Sequence, residues 1–219
     1  MMKARFRDRT EAGQLLAAQL KEYAHRPDVL VLGLPRGGVP VAFEVAQALS
    51  SPLDICLVRK LGVPGHRELA LGAIAAGGVR VLNHDVINWL NISSHTIEEV
   101  AARELQELQR RERAYRGNRL RPEICDRTVI LVDDGLATGA TMRAAVTVLK
   151  SQQPRQLIVA VPVAPREACA VLRTEVDRVI CLATPEPFQA IGLWYDNFAQ
   201  TTDQEVRTLL ADQPTISYA

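Results

Sequence analysis

The apolar positions of this chain fall into short runs separated by amphipathic stretches. Residues 28–34 (DVLVLGL) form a run of Val and Leu between Pro27 and the turn PRGG, the pattern of a strand buried on both faces. Residues 39–49 (VPVAFEVAQAL) follow as a helix that tolerates Pro40 in its first turn. Residues 52–60 (PLDICLVRK) repeat the strand pattern. After residue 126 the alternation is regular: strand TVILV, helix TGATMRAAVTVLKS, strand QLIVAVPV, helix REACAVLRTEV, strand DRVICLA. Strands alternating with helices predict an α/β fold, an open parallel twisted sheet with helices on both faces and right-handed crossovers.

Other segments stand outside this rhythm. Over residues 7–23, Ala12, Leu15, Leu16 and Leu20 make one helical stripe, with Asp8 or Thr10 as its cap. Over 96–116, Ile97, Val100, Ala101, Leu105 and Leu108 share a face, Thr96 and Glu99 spell a capping box, and the Arg and Glu run reads as a solvated surface. Residues 61–78 (LGVPGHRELALGAIAAGG) carry too many Gly and Ala for a packed element, which predicts a mobile loop with a hairpin over 69–82. The segment after residue 183 gathers Phe188, Trp194, Tyr195 and Phe198, four of only ten aromatics, and so predicts a cap rather than another strand–helix unit. The expected organisation is one domain over 1–219, with a core at about 29–182 and a small hood formed by the chain ends, about 1–25 and 183–219.

Composition narrows the function classes. With 219 residues, 47% hydrophobic and 23% charged, the chain is in the ordinary globular range. Its 26 Lys and Arg against 25 Asp and Glu give a net charge of +1, too little for a mainly electrostatic nucleic-acid binder, so no nucleic-acid partner is expected. Cys56, Cys125, Cys169 and Cys181 form no CxxC pair, which removes zinc-ribbon and thioredoxin-type readings and predicts reduced, buried thiols. No apolar stretch follows the basic residues at the amino end, and no window approaches a membrane span. A cytoplasmic protein without a membrane partner is expected.

The chemistry concentrates in residues 129–141 (VILVDDGLATGAT). A buried strand delivers Asp133 and Asp134 to the carboxyl end of the sheet, and the small residues that follow turn into a helix whose amino end suits a phosphate. Two carboxylates beside a phosphate cradle repel the ligand unless they face ribose hydroxyls or a divalent cation. There is no Walker lysine and no GxGxxG, so nucleotide hydrolysis and dinucleotide binding drop out. After the first strand, Gly37 and Gly38 allow close backbone approach to an anion that Arg36 neutralises. After the second strand, Arg59 and Lys60 lead into a loop punctuated by Gly62, Pro64 and Gly65, as a lid needs.

Residues 129–141 resemble the ribose-5-phosphate signature of the type I phosphoribosyltransferases, which bind phosphoribosyl pyrophosphate (PRPP) with magnesium. The resemblance spans about residues 29–182. It implies the 5-phosphate on Ala137, Thr138, Gly139, Ala140 and Thr141, and the pyrophosphate on Arg36, Gly37 and Gly38. Asp133 and Asp134 would hold the ribose hydroxyls, directly or through water on Mg2+. The Arg59–Lys60 pair is similar to the one that opens the flexible catalytic loop of the adenine phosphoribosyltransferases. A hood aromatic, Trp194 or Tyr195, would stack on the base. The hypoxanthine–guanine enzymes carry an acid where this chain has Ala137, so the resemblance leaves proton removal to another group, Glu68, or to an acceptor that needs none. The implied activity is transfer of the phosphoribosyl group to a nitrogen nucleophile such as a nucleobase, with pyrophosphate released, in a homodimer. The alternative is a non-catalytic PRPP-binding regulator or sensor. It ranks second because no helix-turn-helix precedes Val29.

Overall fold

The computed structural model describes residues 5–117 and 119–212. Its elements in chain order are α1 (Arg9–Ala18), β1 (Val29–Gly33), α2 (Gly38–Leu49), β2 (Leu53–Ile55), β3 (Val58–Val63), β4 (His66–Ala75), β5 (Arg80–Leu82), α3 (His84–Trp89), α4 (Ser94–Arg116), β6 (Thr128–Val132), α5 (Ala140–Lys150), β7 (Gln156–Val163), α6 (Arg166–Arg173), β8 (Arg178–Ala183) and α7 (Asp203–Ala211).

Five strands form a parallel sheet in the order β2-β1-β6-β7-β8. Every residue of β1 and β6 is buried because alternate side chains enter different cores. Val29, Val31, Ile130 and Val132 meet α1, α2 and α4 on one face. Leu30, Leu32, Val129 and Leu131 meet α5 and α6 on the other. This two-sided burial is why the strand sequences are continuous rather than alternating. The winding reverses between β1 and β6, and the crevice at their carboxyl ends is where an open α/β sheet takes a ligand. Among the described residues no helix is long and apolar enough to cross a membrane.

The second predicted strand, 52–60, divides. β2 stops at Ile55, and β3 turns into a separate antiparallel sheet, β3-β4-β5. The expected loop at 61–78 is largely this sheet. Leu61, Val63, Leu71 and Ile74 enter the core shared with α4, while Ala73 and Ala75 pack with Val148 of α5. Its small residues permit close packing instead of preventing it. A Cβ on Gly72 would lie 2.0 Å from Val81 O, so β5 could not cross β4 there with any other residue. The expected hairpin over 69–82 is present as the β4–β5 pair.

Asp8 caps α1, accepting from Glu11 N at 2.8 Å, while Leu15 is exposed. The cap of α4 is Ser93, not Thr96: Ser93 Oγ accepts from Thr96 N at 3.1 Å, so the helix starts earlier than its capping-box pattern suggests. The α4 charges are only partly a solvated face. Glu107 takes Arg110 and Arg111 at the surface, but Arg116 is buried and donates to Asp54 of β2 at 3.0 Å and to Glu112. Cys125 is exposed, unlike the buried Cys56 and Cys169.

Where β1 and β6 begin, Asp28 accepts from Arg26 Nη2 and from Thr128 Oγ1, both at 2.8 Å. Arg26 first, then Thr128, hold its carboxyl down at about 2. A depressed folded pKa stabilises above the ordinary carboxylate value of about 4 and the benefit is lost as pH falls toward the folded value. Asp28→Asn is therefore expected to flatten the acid limb of stability between about pH 4 and 2, as urea midpoints across that range would report.

Candidate active site

β1 and β6 run side by side with Gly33 opposite Val132, so the turns that leave them start together. Leu34 N donates to Val132 O at 2.9 Å and draws the PRGG turn against the end of β6. The peptide between Pro35 and Arg36 is cis. A Cβ on Gly37 would lie 2.0 Å from Asp134 Oδ2, so this contact excludes every side chain. Gly38 N is already spent on Leu34 O at 3.0 Å, which leaves Gly38 a steric part in the turn rather than the amide-donor part expected of it.

Past Asp134 the chain turns through 135–138 into α5, which Gly139 opens at φ +73° without a side-chain cap. Thr138 Oγ1 accepts from Ala140 N at 3.3 Å. Ala137, Thr138, Ala140 and Thr141 are exposed around the helix amino end, while Met142, Ala145 and Val146 anchor the helix in the core. First-turn N–H groups and the helix dipole favour an anion at this point.

The two carboxylates have different surroundings. Asp134 is buried, and its Oδ2 accepts from Arg9 Nε at 2.8 Å, with Arg9 Nη2 also 2.8 Å away in an ion pair. Asp133 Oδ1 accepts from Asp134 N at 2.9 Å, and among the described residues no ion pair reaches Asp133. Burial, then the neighbouring Asp134 charge, push the Asp133 carboxyl well above its ordinary range. Burial also raises that of Asp134, against the pull of Arg9. No cluster of three or more His, Cys, Asp or Glu side chains occurs among the described residues. One or two carboxylates beside a phosphate cradle fit magnesium, which is commonly held by few protein oxygens together with substrate phosphates and water.

Lys60 and Arg59 are neighbours on a strand and so face opposite ways. Lys60 pairs across from Ala73, faces α5, and lines a cavity of about 650 Å³ together with Thr138 and Ala140. Arg59 faces α4 and donates to Glu104. The expected pair of loop cations is thus one cation at the cradle and one held by a helix. Glu68 belongs to β4, and its side chain lies outside the described residues. Arg36 turns toward the hood, with Nη1 3.5 Å from Asp203 Oδ1, which also accepts from Tyr115 Oη at 2.9 Å.

Residues around Phe6 meet the segment at 194–196. Phe6 N donates to Trp194 O and Asp196 N to Phe6 O, both at 2.8 Å. Tyr195, one of the two expected base-stacking residues, is buried. Its ring centroid is 5.4 Å from that of Phe6 and 5.0 Å from that of Phe198, and its Oη donates to Asp134 O at 2.6 Å. Those contacts make it a pin between the hood and β6. Tyr195→Phe is expected to lower stability by about 1 kcal/mol through this lost bond, read as a reduced denaturant midpoint. Trp194 is half-buried, and its Nε1 is enclosed without a partner among the described residues. The Phe198 ring is covered by the Arg9 guanidinium, 4.0 Å from its centroid.

Residues 8–196 match the model of the phosphoribosyl transferase domain. The chain belongs to that family. A Mycobacterium tuberculosis protein whose name assigns it provisionally to the phosphoribosyl transferases is 47% identical over 205 residues, 94% of this chain and 46% of the relative. The chain therefore spans about half the length of that protein. TT1426 of Thermus thermophilus, known from a crystal structure, is 44% identical with a TM-score of 0.88, covering 95% of this chain and 99% of that one. The AQ2163 protein of Aquifex aeolicus shares the fold at a TM-score of 0.51 and 14% identity, covering 94% and 86% of the two chains.

Three residues of this phosphoribosyl transferase domain that touch the site were not anticipated from the sequence: Arg9, Tyr115 and Asp203. For Arg9 a signal existed. It is the first residue of α1 after the cap, where a cation opposes the helix dipole, so its charge calls for a partner outside the helix. Tyr115 lay within a stretch read as surface, and an acid in the first turn of α7 is ordinary helix chemistry.

Proposed function

We propose that this domain transfers the phosphoribosyl group of PRPP to a nitrogen nucleophile of the nucleobase class and releases pyrophosphate. The observation that carries this reading is the meeting of two distant motifs in one crevice: the PRGG turn lies against Asp134, and the phosphate cradle begins a few residues further on. In this reading the first turn of α5 anchors the 5-phosphate and so orients the anomeric carbon. Asp133 and Asp134 hold the ribose hydroxyls. Magnesium bound with PRPP supplies charge neutralisation at the pyrophosphate. Arg36, Lys60 and the Gly37 N–H add preorganised positive potential there.

In the transfer, the bond from the anomeric carbon to the pyrophosphate oxygen breaks and the leaving group keeps the electron pair. The acceptor nitrogen supplies the pair for the new C–N bond. Its proton passes to Glu68 or to solvent, since Ala137 has no group to take it. The test is incubation with PRPP, magnesium and a panel of nucleobases while pyrophosphate release is followed. Release that depends on one base supports the reading and names the acceptor. PRPP binding without release for any base or other amine would favour a sensor, and absence of PRPP binding would overturn both.

A further inference from the structure

Two charges of the proposed PRPP site, Asp134 and Arg36, already face charges from the first and last helices of the described chain. The site carboxylate Asp134 holds a hood cation, Arg9 of α1, through a hydrogen bond from Nε at 2.8 Å and an ion-pair contact to Nη2 at 2.8 Å. The site cation Arg36 faces a hood carboxylate, Asp203 of α7, at 3.5 Å, and Tyr115 steadies that carboxylate from α4. Arg9 also donates to Ala199 O at 2.7 Å and covers Phe198, so one side chain ties β6 to the carboxy-terminal segment. Each hood charge has the sign of the ligand part expected beside it. Arg9 is positive where magnesium and the ribose would lie, and Asp203 is negative where the pyrophosphate would lie.

We propose that Arg9 and Asp203 are internal stand-ins for magnesium-PRPP, and that the ligand binds by displacing both. This rests on the PRPP reading of the site. The two contacts resist displacement unequally. The side chains of Arg9 and Asp134 are only 12% and 11% exposed, so separating them without a replacement charge leaves a buried ion unpaired, which is strongly unfavourable. Arg36 and Asp203 are 37% and 47% exposed, and a pair so open to water yields readily. A lone anion can therefore take the place of Asp203, but only a ligand that also brings a cation can release Asp134. The hood thus selects for a metal-bound diphosphate over either component alone. Release of Arg9 also uncovers the Phe198 ring, which gives a planar acceptor a stacking face only once magnesium-PRPP is in place.

The test is calorimetric titration of magnesium-PRPP into the intact chain and into Asp203→Asn, Arg9→Lys and Asp196→Asn. Removing a competitor should tighten binding, so Asp203→Asn is expected to bind about two- to five-fold more tightly. Arg9→Lys keeps the charge but loses the guanidinium fork and its stacking, and should also bind more tightly. Asp196 is an exposed hood carboxylate, and its replacement should leave affinity unchanged. Should Arg9→Lys fail to fold, Asp203→Asn decides alone, because Asp203 is at the surface. Unchanged or weaker binding by Asp203→Asn, or equal tightening by Asp196→Asn, would overturn the proposal. Absence of magnesium-PRPP binding to the wild type would instead overturn the functional reading beneath it.

Discussion

Asp133→Asn is expected to weaken magnesium-PRPP binding by roughly 10- to 100-fold, the value of a lost charge-assisted contact, while making the folded chain more stable at neutral pH. The two effects share one cause. Asp133 is half-buried, adjoins another carboxylate, and has no ion-pair partner among the described residues. An acid whose folded pKa is raised costs stability as pH climbs through the ordinary carboxylate range toward the folded value, and Asn removes that cost. Calorimetry with PRPP and urea unfolding at pH 7 would measure both. Asp134→Asn should behave in the opposite way toward stability. It strips Arg9 of its charge partner in a shielded place, and loss of one member of such a pair typically costs about 3–5 kcal/mol. The single Asp133 variant is therefore the cleaner probe of ligand binding, since its fold does not depend on an ion pair that the substitution breaks.

The second large effect is expected at Lys60. Lys60→Ala should lower turnover by roughly 10²- to 10³-fold, the range seen when one preorganised charge is removed from a transition state, with a smaller loss in PRPP affinity. The position of Lys60 motivates the split. Lys60 lines the same cavity as Thr138 and Ala140 and stands on a hairpin packed along α5, beside the cradle rather than within it. A cation in that place acts mainly on charge that develops as pyrophosphate departs. Single-turnover rates set beside PRPP binding constants would separate the two quantities, and equal losses in both would place Lys60 in ground-state binding. Arg59 serves as the internal contrast. Its bond to Glu104 ties β3 to α4, so Arg59→Ala is a packing change rather than a loss of charge at the cradle.

The parallel sheet was legible in the sequence because strands buried on two faces must be apolar throughout, and β1, β6 and β7 follow that rule almost residue by residue. The strand-to-helix turn after β6, which the proposed function uses as a phosphate cradle, stood out in the sequence for a related reason: adjacent acids and a run of small residues directly after such a strand have few structural uses. The antiparallel sheet was not legible. Gly72, Ala73 and Ala75 look like loop composition, yet their small size is what lets β4 lie against β5 and α5. The different fates of Arg59 and Lys60 follow from a strand that continues past Lys60 to Val63, whereas the sequence pattern ends the strand at Lys60 and lets both cations lead into a loop. Tyr195 looked like a stacking residue because the family resemblance implies an aromatic on the base from this segment. Only the tertiary fold shows its hydroxyl bound to Asp134 O and its ring enclosed by Phe6 and Phe198. Arg9 and Asp203 meet partners 125 and 167 residues away in the chain, and no local pattern encodes such contacts.

In the proposed function the PRGG turn and residues 133–141 form a single PRPP site. Calorimetric titration of the intact wild-type chain with PRPP, in the presence of magnesium and again with the metal removed, tests it most directly. Saturable binding in the micromolar range at one site per chain is expected, strongly weakened without magnesium, because the paired carboxylates then meet a polyanion with no intervening cation. Failure to saturate with magnesium present, or equal affinity with and without the metal, would contradict it.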